Sequence, residues 1–315
     1  MKIFRHIAGI PESCKGAVVA IGNFDGLHIG HRALIAEARR HAEERSAPLG
    51  VMVFEPPPQD FFRPGGEPFR LTPFHAKARL VASLGADVLY AFPFNAELAH
   101  LDAQDFVFEI LLKGLGVGCV AVGSDFRFGS GRGGDATMLS YMGEMEGFCT
   151  VVLDTISFGA GEKISSTAIR TALREGRAED AARLLGHPFA IEGIVAHGDH
   201  RGRTLGWPTI NLNLDGYVRP AFGIYAVRAS VLEGDTVMAR YDGVANLGIR
   251  PMYQSAEPLL EAHLFDFSGD LYGRHVAVEL ISFLRPEMKF ASVEELKARI
   301  AEDAARAKIE LKRAQ

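Results

Sequence analysis

Five compact apolar runs in the first half of the chain, Ala17–Ile21, Leu49–Phe54, Asp87–Phe92, Gly118–Val122 and Thr150–Leu153, carry no polar alternation. A strand with one wet face alternates, and a strand buried on both faces does not. These runs therefore predict interior strands of a parallel sheet. Helix signals fall between them. Thr72-Pro73 offers an N-cap followed by proline at the first helical position, Asp102 can cap a helix to about Lys113, and Gly147 can close one that starts near Asp135. Strand and helix in alternation predict an open α/β, Rossmann-like sheet with right-handed crossovers.

After Leu185-Gly186-His187-Pro188 the pattern changes. Gly223–Val231, Thr236–Tyr241, Leu259–Phe267 and Val276–Phe283 read as strands joined by Gly- and Asp-bearing turns, with few helices between them. Ser292-Val293-Glu294-Glu295 is a capping box, and Val293, Leu296, Ile300 and Ala304 then recur at helical spacing. The expectation is a small antiparallel β-barrel with a C-terminal helix. A chain of 315 residues accommodates two domains, expected at 1–186 and 187–315.

The formal net charge of −5 argues against a dedicated nucleic-acid binder, whose footprint would be basic. No apolar stretch approaches the roughly 18 residues of a membrane span, and MKIFRHIAGIPES lacks a signal-like apolar run. Cys14, Cys119 and Cys149 are few, odd in number and without metal-ligand spacing, so free thiols in a reducing cytoplasm are expected rather than a disulfide framework. Small molecules are the expected partners, with neither nucleic acid nor membrane. Oligomeric state is not legible.

Gly22-Asn23-Phe24-Asp25-Gly26-Leu27-His28-Ile29-Gly30-His31 follows the first of these strands and opens a helix to about Glu44. A helix N-terminus at the carboxyl end of a strand presents N–H groups and a positive dipole end to phosphate. His28 and His31 lie one turn apart and can donate to phosphate oxygens as charge builds. The competing readings are a capped helix with incidental histidines, or half a metal site. Zinc pairs on helices prefer i, i+4 spacing, which disfavours the latter.

Ser165-Ser166-Thr167 at a helix start, with Arg170 one turn in, forms a second anion cradle that follows the fifth run and so is expected at the same sheet edge. Gly129–Gly134 fits GxGxxG with Asp154 downstream, as in dinucleotide-binding dehydrogenases. That fingerprint needs a strand running straight into the glycines, and Ser124–Phe128 intervenes.

In the second half, His197-Gly198-Asp199-His200-Arg201-Gly202-Arg203 is a glycine-punctuated basic loop suited to closing over phosphates, without a Walker A motif anywhere. It is followed by Gly206-Trp207-Pro208-Thr209-Ile210-Asn211. Thr209 and Asn211 alternate along a predicted strand, so both oxygens face one side and form a hard set suited to Mg²⁺. An ordinary turn before a barrel strand is the alternative.

GNFDGLHIGH, VGSDFRFGSGRGGD (122–135) and ISSTAIR resemble the FMN adenylyltransferase module of the bacterial bifunctional riboflavin kinase/FAD synthetase family, within the nucleotidylyltransferase superfamily. HGDHRGRTLGWPTINL resembles the family's riboflavin kinase signature, with further matches at Gly223–Ala226, Gly243–Gly248 and Glu261-Ala262-His263-Leu264. The resemblance implies that His28 and His31 serve adenylyl transfer. It places ATP of that step with Gly22, Asn23, Phe24, Asp25, Gly30, Ser165, Ser166, Thr167 and Arg170, and assigns Asp125, Phe126, Arg127 and Phe128 to the flavin region.

In the second half it implies kinase ATP at His197, Gly198, Arg201, Gly202, Arg203 and Gly206, Mg²⁺ at Thr209 and Asn211, and Glu261 as general base. The implied chemistry is phosphorylation of riboflavin to FMN, then joining of AMP from a second ATP to give FAD and pyrophosphate. Pro57, where the family often has His, and Met252, where it commonly has Thr, depart from the pattern. One working domain alone, or a non-catalytic flavin- or nucleotide-binding regulator, are the rival readings.

Overall fold

A computed structural model describes residues 1–158, 162–196, 206–249 and 257–314, which form two compact units. The first unit comprises Met1–Glu67 and Phe74–Ile164. Its sheet contains β1 (Lys2–Phe4), β2 (Val18–Ile21), β3 (Leu49–Phe54), β4 (Val88–Phe92), β5 (Cys119–Gly123) and β6 (Cys149–Leu153), in the order β1-β4-β3-β2-β5-β6. Every pairing is parallel.

The four central strands, β2 to β5, are buried along nearly their whole length, which is why their sequences lack polar alternation. β6 departs from the expectation. It forms the sheet edge, is only half-buried, and leaves Val152 43% exposed. β1, a three-residue edge strand, was too short to carry a pattern.

Helices cover both faces. α1 (Ile29–Arg45) packs on β2, β3 and β5 through Leu34, Ile35 and Ala38. α2 (Phe74–Ser83) starts just after Thr72-Pro73, and α3 (Ala136–Glu146) runs from an Asp135 cap to Gly147. The helix capped by Asp102 begins as Ala103–Asp105 and continues as a π-helix over Phe106–Leu115. From β2 the chain builds outward through β3 and β4 on one side, and β5 and β6 on the other. The strand order therefore reverses at β2/β5, where an open α/β sheet leaves a crevice beyond its carboxyl ends.

The cysteines depart from the expected set of free thiols. Cys119 and Cys149 are register partners on β5 and β6, with Cα atoms 4.4 Å apart, and they are joined as a disulfide; Cys14 is a buried free thiol. A sequence separation of 30 hides this neighbourhood from a count of cysteines.

The second unit comprises Pro68–Pro73 and Ser165–Gln315. α4 (Ser166–Arg174) and α5 (Ala178–Leu185) precede a six-stranded antiparallel sheet of β7 (Phe189–Ile194), β8 (Ile210–Asn213), β9 (Gly223–Glu233), β10 (Thr236–Ile249), β11 (Pro258–Leu264) and β12 (His275–Pro286). Strand order is β7-β12-β9-β10-β11-β8. An antiparallel bridge between Ala196 and Asn211 brings the two ends together, so the sheet curls toward a barrel.

The compact unit starts earlier than the change of pattern near Gly186, because α5 packs on β7 and β12. α6 (Val293–Arg313) lays Ala304, Ala307 and Leu311 on the barrel. Its cap is that expected, with Ser292 accepting from the Glu295 N–H; the Glu295 carboxylate reaches back to the Ala291 N–H.

Candidate active sites

In the first unit, the turn after β2 leaves the sheet at the switch point. Phe24 and Leu27 adopt left-handed backbone (φ 46° and 40°) while their side chains are fully buried, and Gly26 lies between them at φ 86°. Buried side chains hold a backbone that is otherwise rarely populated. The turn delivers Asp25 and His28 into buried positions.

His28 is the N-cap of α1, and its Nδ1 accepts the His31 backbone N–H at 3.3 Å. Neutral His28 therefore carries its proton on Nε2. The His28 and His31 rings stack with centroids 3.6 Å apart, and the Phe24 ring meets His31 edge-on at 5.1 Å. A Cβ at Gly30 would lie 3.3 Å from the His28 ring, so glycine gives that ring its room. Burial, then repulsion from His28 whenever that ring is protonated and from the Lys77 ammonium, hold His31 well below the ordinary imidazole range, and it is neutral at pH 7.

Beyond β5, Asp125 pairs with Lys163 at 3.1 Å, and Phe126 stacks on Phe128 with centroids 5.5 Å apart. Arg127 is exposed and donates to the Phe126 carbonyl at 3.0 Å. Within Gly129–Gly134 a 3₁₀ turn over Ser130–Arg132 links the paired two-residue strands Arg127–Phe128 and Gly134–Asp135. It is not a strand-to-helix turn, and the dinucleotide fingerprint is absent. Phe54, Phe61, Phe62 and Phe94 form a run of edge-to-face contacts past the ends of β3 and β4, with Phe62 65% exposed.

In the second unit, Ser165 caps α4 by accepting the Ala168 N–H, with Ser166 and Thr167 in the first turn. Arg170 Nε donates to the Phe69 carbonyl at 2.7 Å, and its guanidinium lies 5.4 Å from the centre of the Phe69 ring.

On the barrel, Glu261 stands directly opposite Asn211 on one neighbouring strand and Asn246 on the other. Directly opposed residues share a face, so strand register alone gathers these three. Asn211 is 4% exposed and its Oδ1 has no hydrogen-bond partner among the described residues. Thr209, one residue before β8, falls on the same side by alternation. His263 Nδ1 contacts the Pro208 carbonyl at 2.8 Å and its ring meets Trp207, which pins the entry to β8. Gly206 is exposed at φ 84°. His197, Gly198, Arg201, Gly202, Arg203 and Met252 lie outside the described residues.

An orphaned, buried amide oxygen beside a threonine and opposite a carboxylate fits a hard cation such as Mg²⁺. Among the described residues no group of three His, Cys, Asp or Glu side chains is arranged to hold a metal ion. No helix among them is long and apolar enough to cross a membrane.

Family models for FAD synthetase and riboflavin kinase match residues 10–168 and 185–311. A bifunctional riboflavin kinase/FMN adenylyltransferase of Escherichia coli (strain K12) is 44% identical over 96% of both chains. The chain belongs to the bifunctional riboflavin kinase/FMN adenylyltransferase family. Relatives of the same description from Pseudomonas fluorescens and Haemophilus influenzae are 40% and 38% identical, each over 98% of this chain and at least 97% of theirs. A solved structure from Streptococcus pneumoniae, described as a macrolide-efflux protein, shares the fold with TM-score 0.84 and 30% identity over 96% of each chain.

Within this chain, the FAD synthetase match includes the His-bearing turn, Asp125–Phe128 and Ser165–Thr167, and ends before Arg170. The riboflavin kinase match includes Thr209, Asn211 and Glu261. Lys77, Asn246 and His263 were not singled out as site residues from the sequence. Lys77 had a signal, a lysine on the apolar face of α2 between Ala76 and Val81. Asn246 needed the strand register.

Proposed function

We propose that the chain converts riboflavin to FMN and FMN to FAD, consuming one ATP in each step. The observation that carries the reading is that each family match encloses its own constellation, the His turn in one and the Asn211–Glu261–Asn246 register in the other.

In the kinase step, Glu261 accepts the proton of the ribityl 5′-hydroxyl as that oxygen attacks the γ-phosphorus, and ADP leaves. Thr209 and Asn211 would hold Mg²⁺, which supplies charge neutralisation on the nucleotide phosphates. We assign His197, Gly198, Arg201, Gly202, Arg203 and Gly206 to the nucleotide of this step.

In the adenylyl step, a phosphate oxygen of FMN attacks the α-phosphorus of ATP and pyrophosphate leaves, with no covalent enzyme intermediate. Positioning and charge stabilisation then carry the catalysis. His28, its proton fixed on Nε2, and neutral His31 donate to oxygens on which charge develops. Gly22, Asn23, Phe24, Asp25, Gly30, Ser165, Ser166, Thr167 and Arg170 are assigned to this ATP. Asp125, Phe126, Arg127 and Phe128 are assigned to the flavin; the stacked phenylalanines suit a planar ring. Residues 1–186 and 187–315 divide the two activities, and an enzyme that spends two ATP per riboflavin suits the cytoplasm.

A double dissociation tests these roles. Glu261→Gln keeps shape and removes the proton acceptor, so riboflavin phosphorylation falls about 10²- to 10⁴-fold, while supplied FMN still becomes FAD. His31→Ala removes a donor at the α-phosphate, lowering FAD formation on the order of 10²- to 10³-fold, while FMN accumulates from riboflavin at nearly the parent rate. Chromatographic separation of riboflavin, FMN and FAD reads both. Loss of FMN formation in a folded His31→Ala protein would refute the two-site assignment.

A further inference from the structure

Lys77 is only 3% exposed, on the face of α2 that also buries Ala76 and Val81. A buried ammonium is costly unless its charge and its donors are engaged. Its Nζ donates to the Asn23 backbone carbonyl at 2.9 Å. Asn23 opens the turn in which Phe24, Gly26 and Leu27 all take left-handed backbone, and the turn ends on the stacked His pair. A backbone of this kind persists only where surrounding contacts over-determine it, and Lys77 supplies one such contact from α2, 54 residues away in sequence.

We propose that Lys77 is a positioning residue of the adenylyl-transfer site: its buried ammonium ties down the Asn23 carbonyl, holds the left-handed turn that delivers Asp25, His28 and His31, and fixes a positive charge beside the His pair. The inference rests on the assignment of that turn to adenylyl transfer. Among the described residues, the charges that act on His31 are His28 in its own turn and Lys77 from α2. The strands beneath α1 (β2, β3 and β5) contribute only apolar side chains and the disulfide-bonded Cys119. The Lys77 charge is one of the causes that hold His31 neutral. An anionic triphosphate arriving at the turn would meet that same charge.

The test uses the full chain with FMN, ATP and Mg²⁺. Lys77→Met keeps the apolar stem and removes both donor and charge; Lys77→Gln keeps a donor and removes the charge. FAD formation by Lys77→Met should fall about 10- to 100-fold in kcat, the scale of a misplaced reacting group. Riboflavin phosphorylation by the same preparation stays at the parent rate and reports a folded protein. In both variants the His31 imidazole, followed by NMR of labelled histidine, should titrate at higher pH than in the parent, a change that a purely structural lysine would not produce. Should Lys77→Met fail to fold, Lys77→Gln carries both readouts.

FAD formation within twofold of the parent in the folded variants, or an unmoved His31 titration, overturns the proposal. His31→Ala run in parallel separates the two levels. Full FAD formation by His31→Ala sinks the site assignment itself, whereas loss there with intact Lys77 variants sinks only the role of Lys77.

Discussion

Removing one partner of the Arg285–Asp303 pair should unfold the barrel far more readily than replacing both. The pair joins β12 to α6, with side chains 8% and 3% exposed. Arg285 Nε lies 3.0 Å from both Asp303 oxygens, and a terminal nitrogen donates at 2.6 Å. Arg299 adds a second cation 3.7 Å from the same carboxylate. In Asp303→Leu the Arg285 guanidinium stays buried without its counter-charge, a defect worth about 3–5 kcal/mol. That is a large share of the roughly 5–15 kcal/mol that stabilises a whole domain.

For a unit of this size each kcal/mol lowers Tm by about 2–4 °C, so a fall of roughly 6–20 °C is expected. Arg285→Met with Asp303→Leu removes both charges and fills the space with apolar atoms, and should lie within about 1 kcal/mol of the parent or above it. The assay is urea unfolding followed by Trp207 fluorescence. Trp207 is the only tryptophan and packs against the cluster that Ala304, Ala307 and Leu311 bury. A single variant that loses less than about 1 kcal/mol, or a double variant as unstable as the single, would refute the reasoning.

Excess EDTA should abolish FMN formation, and added Mg²⁺ should restore it, because Thr209 and Asn211 offer hard oxygens; full activity in EDTA would exclude this role. A fragment of residues 165–315 should phosphorylate riboflavin and melt higher than one of 187–315. The shorter piece strips Ala181, Leu184 and Leu185 from β7 and β12, and equal melting temperatures would count against α4 and α5 as part of the barrel's core.

Features encoded within a few residues were readable from the sequence, whereas those depending on which strand neighbours which were not. The central strands, the α1 and α6 starts and the Asp135 cap each announce themselves by a local run or capping residue. The exposed edge position of β6 does not, because Thr150–Leu153 is as apolar as its buried neighbours. The Cys119–Cys149 bond follows from β5–β6 adjacency, which no spacing encodes. Thr209 and Asn211 could be placed on one side of a strand by alternation, but their meeting with Glu261 and Asn246 is a property of β8-β11-β10 register. Lys77 does not stand out in the sequence, because a lysine in a helix is usually a solvated one.

The placement of Asn211 and Glu261 also bears on how the barrel is assembled. They lie about fifty residues apart in the chain, and β8 joins the sheet only at its edge, through β11 and the Ala196 bridge. The β9–β10 hairpin, by contrast, closes over a two-residue loop. Loop-closure entropy favours the hairpin early and the distant edge strand late. A nascent or partly refolded barrel thus acquires most of its sheet before the amide meets the carboxylate, and return of riboflavin phosphorylation marks completion of the fold rather than its onset.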